Sequence, residues 1–268
     1  MAAQNVYLPK KEQYNPEDVF ISVDTLSDLY ARIHTYVALA AGSTIALNSI
    51  AGRKADIEKV VHNVNPSIIV VSPESIFHTH RATQGYMMEI WHGMIHFFQT
   101  RTLLQSGQIP KGNFWTRLND YVRPEVGDKL RLVFVAEAGG NPASQPVNSL
   151  DLADMKIFFK SKVVYGLKHH KVAGPVTQYN VYDYRVQAPK QLPSRNKKIP
   201  RYCAHFGAVT PGLEIKLKDI ERYTADDKEG PRGLVFVAGP TVAGGQETSL
   251  GFVGKWLPEG VLSYATGG

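Results

Sequence analysis

The sequence has little cysteine and no long apolar run. Cys203 is the only cysteine, so no disulfide can form within the chain, which is typical of proteins in a reducing compartment. The longest apolar stretch surrounds residues 36–41 and is far shorter than the roughly 20 residues that span a bilayer. The first 16 residues are polar and lack the apolar core of a secretion signal. We therefore expect an intracellular, cytoplasmic protein, with peripheral contact with an organelle membrane left open.

The chain carries a moderate excess of positive charge. Its 30 lysine and arginine residues outnumber 24 acidic residues, which gives a net charge of +6. Much of the excess lies between Lys156 and Lys171 and between Arg185 and Arg201. Such segments suit an anionic partner, which could be RNA, an anionic membrane, a nucleotide or CoA, and they equally suit a solvated basic face. The sequence contains no known nucleic-acid-binding motif.

The order of apolar patterns predicts an α/β fold. Apolar residues at three- and four-residue spacing between Leu26 and Val37 predict a helix over residues 24–41. Further helices are predicted over residues 55–62, 75–104 and 150–161. Short apolar runs predict buried strands near four residues, Ile45, Ile69, Val133 and Val164. This alternation predicts a central, mostly parallel sheet flanked by helices.

The two ends of the chain differ from this middle part. Residues 213–218 alternate between apolar and polar side chains, and residues 233–239 form a second strand-like run. The two runs predict a hairpin and a β-rich C-terminal part. Residues 1–22 are largely polar, so we expect a loose N-terminal tail followed by one domain over residues 23–268.

Methionine and aromatic residues crowd the segment 87–98, and we expect this stripe to belong to the core. Its members are Met87, Met88, Ile90, Trp91, Met94, Ile95, Phe97 and Phe98. His92 and His96 are four residues apart and could face one metal ion from a helix. No acidic residue nearby completes such a site, so we interpret both as core or helix-surface histidines.

Short motifs follow one another along the chain in a fixed order. Gly139-Gly-Asn-Pro142 comes after a predicted strand, and Tyr165-Gly-Leu-Lys-His169 comes after the next helix and strand. The other matching segments are residues 41–45, 65–74, 206–216, 233–240 and 261–268. In this order the motifs resemble those of the adenylate-forming (AMP-binding) superfamily, and most closely its long- and medium-chain acyl-CoA synthetases. The resemblance covers residues 23–268.

The resemblance implies a fold, a reaction and a nucleotide site. The chain would be the second half of the family's N-terminal domain, and therefore a partial domain. Family members join a carboxylate to ATP, release pyrophosphate and pass the acyl group to CoA. In that pattern Tyr165 is the wall on which adenine stacks, although the tyrosine would also suit the core. The implied cofactor-binding residues are Gly139, Gly140, Tyr165, Gly166, Lys168 and His169.

The sequence departs from the family where the chemistry is concentrated. Lys168 and His169 stand where the family has the Thr-Glu pair that contacts phosphate and holds magnesium, and Gly268 replaces the aspartate that binds ribose. A lysine repels the ion, and imidazole is a poor ligand for it. The sequence also contains neither the Gly/Ser/Thr-rich loop with Pro-Lys-Gly nor the C-terminal domain with its catalytic lysine.

These departures predict a non-catalytic binding or scaffolding module, with no catalytic residue and no metal ligand. Weak binding of AMP or CoA is the only cofactor interaction that the pattern supports. The alternative is one chain of a split long-chain fatty acid–CoA ligase, in which a second chain supplies the missing half. Lys168 and His169 argue against this alternative because they alter the half that is present. Self-association and a gene fragment without a settled function also stay open.

Overall fold

Two β-sheets and five α-helices make up the part of the chain that is described. The computed structural model describes residues 7–49, 55–61, 64–86, 89–107, 114, 118–120, 126–140, 147–183, 185, 203–227 and 230–265. No helix within these residues is both long enough and apolar enough to cross a membrane.

The larger sheet has seven strands and is mostly parallel, as the sequence predicted. Its strands are β1 (Val19–Ser22), β2 (Thr44–Ala46), β3 (Ile68–Val71), β4 (Leu132–Ala138), β5 (Lys162–Lys168), β6 (Pro175–Gln178) and β7 (Ala208–Val209). They lie in the order β2-β1-β3-β4-β5-β6-β7, and the first five run parallel. The last two strands are antiparallel. The four strands predicted near Ile45, Ile69, Val133 and Val164 are therefore confirmed.

Helices cover both faces of this sheet. They are α1 (Leu29–Ala40), α2 (Ile57–Val61), α3 (Pro73–Tyr86), α4 (Ile90–Ser106) and α5 (Ser149–Phe158). Successive strand residues point to opposite faces, so Ile69 and Val133 belong to one apolar cluster while Ile68 and Leu132 belong to the other. Residues of α2, α3 and α5 complete the first cluster, and residues of α1 complete the second. A parallel sheet covered on both faces requires such continuous apolar strands.

The smaller sheet has four antiparallel strands and forms the β-rich C-terminal part. They are β8 (Glu214–Lys218), β9 (Arg232–Ala238), β10 (Thr248–Leu257) and β11 (Val261–Tyr264), in the order β11-β10-β9-β8. Ile215 lies opposite Val237 in the β8–β9 pair. The predicted hairpin is therefore confirmed.

The expected tail over residues 1–22 is wrong for residues 7–22. Val19–Ser22 is a central strand, and Leu8 and Tyr14 are buried before it. Residues 1–6 lie outside the described part. The polar character of this segment was misleading because its charged side chains are used for ion pairs inside the fold.

Those ion pairs converge on Arg131, just before β4. The guanidinium Nε donates to Asp18 Oδ1 at 2.9 Å, and Nη2 donates to Asp18 Oδ2 at 2.7 Å. Nη1 donates to the backbone oxygen of Glu12 at 3.1 Å and pairs with its carboxylate at 3.4 Å. Ser67 also donates to Asp18 Oδ1 at 2.7 Å. One arginine thus holds the N-terminal segment against the amino-terminal ends of the central strands.

The single helix predicted over residues 75–104 and its buried stripe are both wrong. The segment forms α3 and α4, and most of the apolar stripe on α4 is exposed. The exposed fractions are 71% for Ile90, 70% for Trp91, 45% for Met94, 48% for Phe97 and 56% for Phe98. The helix instead packs through its other side, where Leu103 joins Ala153 and Ile157 of α5. Met87 and Met88 lie outside the described residues.

Candidate functional site

A cleft lies at the carboxyl ends of the parallel strands, where α/β sheets commonly bind ligands. The segments after β1, β3, β4 and β5 line it together with residues 249–251 of β10, and its volume is about 740 Å³. We call it the strand-end cleft. Its lining includes six charged side chains, Asp24, Asp28, Arg32, Glu74, Glu137 and Lys168.

Lys168, at the end of β5, forms an ion pair within this cleft. Its Nζ lies 2.6 Å from Asp28 Oδ2 and 4.0 Å from Asp24 Oδ2. Asp28 Oδ1 accepts hydrogen bonds from the backbone N–H groups of Tyr30 and Ala31, so the same carboxylate also caps α1. The side chain of Asp28 therefore joins the end of β5 to the first turn of α1.

Asp24 follows β1 and is only 6% exposed. Burial raises its pKa to about 6; the nearby carboxylates of Asp28 and Glu74 add to the rise, while Lys168 and Ser72 oppose it. A buried carboxyl with a displaced pKa, set in a cleft, is typical of functional sites. Asp24 is therefore a strongly perturbed acid of the strand-end cleft.

His169 lies half-buried beside Lys168 and also lines the cleft. Burial lowers its pKa, and the neighbouring charges of His170 and Lys171 lower it further. The imidazole is therefore mainly neutral at physiological pH and brings little positive charge to the cleft.

Gly139 and Gly140 line the cleft on the β4 side, where the sequence placed them. A side chain on Gly139 would begin 2.6 Å from the ring of Phe252, and one on Gly140 would begin 2.8 Å from the backbone oxygen of Leu250. Gly140 also has a positive φ of 72°. The two glycines let the loop after β4 approach β10 closely, so their positions have a packing reason independent of any ligand.

Tyr165 is not a wall of the cleft. It is fully buried in β5, with 0% of its surface exposed, and its ring stacks on Phe206 at 5.7 Å between centroids. Neither Tyr165 nor Gly166 is among the residues that line the cleft. The expected stacking of adenine on Tyr165 is therefore wrong in this structure, because the ring lies in the core and has no surface open to the cleft.

The hydroxyl of Tyr165 takes part in a contact between the two sheets. It donates to Glu137 Oε2 on β4, and Tyr264 of β11 donates to Glu137 Oε1 at 2.7 Å. Burial raises the pKa of Glu137 above its usual value, although these two hydrogen bonds act in the opposite direction. Glu137 lines the cleft, so this buried carboxyl connects the cleft to the interface between the sheets.

Sequence reasoning missed most of the polar residues of the cleft, among them Asp24, Asp28, Tyr30 and Glu137. A signal for Asp28 was present, since aspartate directly before a helical apolar stripe favours the N-cap. The position of Glu137 at the end of a strong predicted strand also pointed to the carboxyl edge of the sheet. Asp24 and Tyr30 carry no comparable signal, because their location depends on which side of β1 and α1 faces the cleft.

The paired histidines of α4 have separate polar partners. His92 Nδ1 lies 2.8 Å from the side-chain oxygen of Asn119, and His96 Nε2 lies 3.0 Å from Asp154. His80 also contacts Asp154, at 3.3 Å. Burial alone would raise the pKa of Asp154, but hydrogen bonds from the two histidines lower it to about 2. Within the described residues no three His, Cys, Asp or Glu side chains are placed to hold a metal ion.

Comparison with known proteins identifies the fold. No protein-family model and no curated protein matches the sequence. Among solved structures, the anthranilate CoA ligase AuaEII in complex with anthranoyl-AMP has a TM-score of 0.60 at 12% identity, covering 94% of this chain and 40% of that chain. A benzoate CoA ligase from Burkholderia xenovorans has a TM-score of 0.55 at 16% identity, covering 94% and 42%.

A third structure, ATP-bound MatB from Rhodopseudomonas palustris, has a TM-score of 0.56 at 14% identity and covers 98% of this chain and 42% of that chain. In each case the chain spans about two fifths of the length of the structure that it matches. It therefore has the fold of part of an adenylate-forming enzyme, the superfamily that the sequence motifs resemble.

Proposed function

We propose that this chain is a non-catalytic binding module in which the strand-end cleft accepts a small organic ligand without magnesium-dependent adenylation. The ion pair of Lys168 with Asp28 is the observation that carries this proposal. The ammonium stands at the motif position where the resemblance places the threonine that contacts phosphate, directly before the position of the glutamate that holds magnesium. It also lies close to Asp24, so it neutralises carboxylates that would otherwise attract a cation.

The side chains around Lys168 do not suit the binding of magnesium. Magnesium prefers oxygen ligands in near-octahedral geometry, and a lysine ammonium offers none. His169 offers nitrogen, which suits transition metals better than magnesium. The carboxylate of Asp28, in an ion pair at 2.6 Å, already has much of its charge neutralised by Lys168. These contacts support a cleft that binds without assembling a metal–phosphate complex.

AMP and CoA are the cofactors that we propose for weak binding. The solved neighbours include proteins with AMP, ATP or anthranoyl-AMP bound. Lys168 could attract a phosphate only by giving up part of its contact with Asp28, which reduces the gain. Tyr165 offers no stacking surface because it is buried. We expect affinity no better than about millimolar, equivalent to roughly −4 kcal/mol.

The proposal predicts no acid-dependent exchange of pyrophosphate into ATP. The assay uses purified protein with magnesium, ATP, labelled pyrophosphate and a panel of acids that includes benzoate, anthranilate, malonate and a fatty acid. The benzoate CoA ligase from Burkholderia xenovorans serves as the active control. Exchange should not exceed that of a heat-denatured sample, and clear acid-dependent exchange would contradict the proposal.

A second candidate function is one chain of a split acid–CoA ligase, of the long-chain fatty acid type or another. The observation in its favour is the fold, which this chain shares with part of the solved ligases that it matches. This candidate requires a partner chain that supplies the other elements of the fold. Purification of the protein from its native cell tests it: exchange activity that appears only in a complex with a second chain would favour the split ligase.

A further inference from the structure

The helix α4 has two opposite sides, and one of them packs against the neighbouring helix α5. His96 Nε2 lies 3.0 Å from the carboxylate of Asp154 on α5, and Leu103 forms an apolar cluster with Ala153 and Ile157 of the same helix. Leu103 follows His96 by seven residues, so both lie on the same side of α4. The contacts with α5 therefore fix which side of α4 faces the protein.

The opposite side of α4 carries a row of large apolar side chains whose exposed fractions lie between 45% and 71%. Separations of one, three, four and seven residues place them along one side of the helix, more than a right angle away from His96 and Leu103. We call this row the α4 outer face, and its members are Ile90, Trp91, Met94, Phe97 and Phe98. Single exposed apolar residues are ordinary, whereas a contiguous row of this kind marks an interaction surface.

The α4 outer face is large enough to form most of one side of a stable protein interface. Three of its five members are aromatic, and an aromatic side chain buries roughly 150–250 Å². At their exposed fractions the five side chains together offer on the order of 600 Å² of surface. A specific interface buries about 800 Å² on each partner, and exposed residues of α4 such as Arg101 and Gln105 extend the face. Tryptophan, phenylalanine, methionine and arginine are also the residue types that are enriched in protein interfaces.

Opposite charges stand at the two ends of the α4 outer face. Arg101 is exposed and follows Phe98 by three residues, on the same side of the helix. Glu89 directly precedes the helix, and its side chain is 76% exposed, with the carboxylate 3.7 Å from His92 Nε2. Two parallel copies of α4 would bring like charges together. Two antiparallel copies bring Arg101 of each copy to the end that carries Glu89 of the other, and such complementarity fixes the orientation of partners.

We propose that the α4 outer face binds a second copy of this chain, with the two α4 helices antiparallel about a twofold axis near Ile95. In this arrangement Trp91 lies opposite Phe98 of the other copy, and Met94 lies opposite Phe97. Both pairs are centred within half a residue of Ile95, as the self-complementarity of a twofold interface requires. The inference goes beyond the proposed function, since no residue of α4 lines the strand-end cleft.

A lipid surface suits the α4 outer face less well than a second copy does. Helices that lie on anionic membranes carry many lysine and arginine residues beside their apolar face. Apart from its two histidines, α4 contains one basic residue, Arg101, and the carboxylate of Glu89 stands at its start. An anionic membrane would therefore attract this helix only weakly and would repel Glu89.

Sedimentation equilibrium of the 268-residue chain, at protein concentrations from about 1 µM to about 1 mM, tests the association. The wild type should form a dimer with a dissociation constant in the micromolar range. Phe97→Glu places one carboxylate from each copy at the centre of the interface. It should raise the dissociation constant by at least about 30-fold, the effect of losing a central hot-spot residue. Leu39→Glu, at a leucine of α1 that is 60% exposed, is the matched control and should leave the constant unchanged.

Thermal unfolding checks that a lost dimer is not a lost fold. Phe97 is 48% exposed, so Phe97→Glu should unfold at the same temperature as the wild type when both are measured well below the dissociation constant.

Cysteine cross-linking, on a Cys203→Ser background, tests the antiparallel orientation. Position 94 lies beside the twofold axis, whereas the two copies of position 90 lie about 15 Å apart along the helix axes, too far for a disulfide. Met94→Cys should therefore form an intermolecular disulfide at least about tenfold faster than Ile90→Cys under the same oxidant.

A protein that stays monomeric up to about 1 mM would overturn the proposal. Equal dissociation constants for the wild type and Phe97→Glu would also overturn it, as would equal cross-linking rates at positions 90 and 94. Flotation of a monomeric wild type, but not of Phe97→Glu, with vesicles of phosphatidylcholine and phosphatidylserine would assign the α4 outer face to a lipid surface and so contradict the proposal. The pyrophosphate exchange assay reads adenylation and not association, so failure of the dimer and failure of the proposed function are distinguishable.

Discussion

Arg131→Met is expected to lower the free energy of unfolding by about 3–5 kcal/mol, because it leaves the buried carboxylate of Asp18 without its cation, while Glu12 keeps its ion pair with Lys162. Asp18 is 4% exposed and receives two hydrogen bonds from the guanidinium, while Glu12 is 7% exposed and pairs with the same group. Methionine keeps an unbranched, largely aliphatic side chain and removes the guanidinium with its charge and donors. Most of the lost stability should therefore come from the broken ion pairs and hydrogen bonds of Arg131, and little of it from a cavity.

Urea unfolding of the wild type and of Arg131→Met measures this effect, with Arg222→Met as the control at an exposed arginine. Burial raises the pKa of Asp18, but the hydrogen bonds from Arg131 and Ser67 outweigh it and hold the pKa below its usual value. The stability from this pair is thus present above about pH 3.9 and is lost as the pH falls through the folded-state pKa. The difference between wild type and variant should shrink in acid. A difference below about 1 kcal/mol at neutral pH would show that the N-terminal segment is not held by Arg131.

Tyr165→Ala is expected to cost about 3–5 kcal/mol of stability, the range for truncating a large aromatic residue in a core. The ring is fully buried, stacks on Phe206 and meets Tyr179 edge to face at 5.8 Å between centroids. Its hydroxyl also donates to Glu137, so truncation leaves that buried carboxyl with one donor fewer. Tyr165→Phe keeps the ring and should cost only the hydrogen bond to a charged group, about 1.5–3 kcal/mol.

Chemical denaturation of both variants separates the contribution of the buried ring from that of the hydroxyl hydrogen bond. Tyr86→Ala, at a tyrosine that is 60% exposed, is the control for truncation at the surface. That control should change the free energy of unfolding by no more than about 0.5 kcal/mol. A Tyr165→Ala protein as stable as the wild type, but with weaker AMP binding, would show that the tyrosine belongs to the ligand site and not to the core.

The sequence predicted the central strands and the C-terminal hairpin because these elements depend on local apolar patterns. The strands near Ile69 and Val133 are buried on both faces, so nearly all of their residues are apolar, and such runs are easy to recognise. The alternating strand at Ile215 is equally clear. These elements are confirmed, together with their order and the parallel direction of the central strands.

The elements that depend on distant partners were misjudged. Residues 7–22 looked like a tail because Glu12 and Asp18 are charged, and their partner Arg131 lies more than 100 residues later in the chain. The stripe containing Trp91 and Phe98 looked like core because apolar side chains usually are, yet α4 docks through Leu103 instead. Hydrophobicity alone does not indicate which side of a helix finds a neighbour.

The candidate site was predicted in part. Gly139, Gly140, Lys168 and His169 meet in one cleft because they follow neighbouring parallel strands, as the motif order implied. Tyr165 and Gly166 lie before the strand end, in the part of β5 that is buried on both faces, so they do not reach the cleft. The cleft carboxylate Asp24 has no motif, and only the three-dimensional structure places it beside Lys168.

The effect of magnesium on ATP binding tests the central claim most directly. Calorimetric titration of ATP is compared with and without magnesium, on the wild-type protein and under otherwise identical conditions. Because Lys168 is paired with Asp28 and offers no oxygen ligand, magnesium should not strengthen binding, and the affinity should stay no better than about millimolar in both titrations. Binding of magnesium–ATP in the micromolar range, lost when magnesium is chelated, would contradict the account.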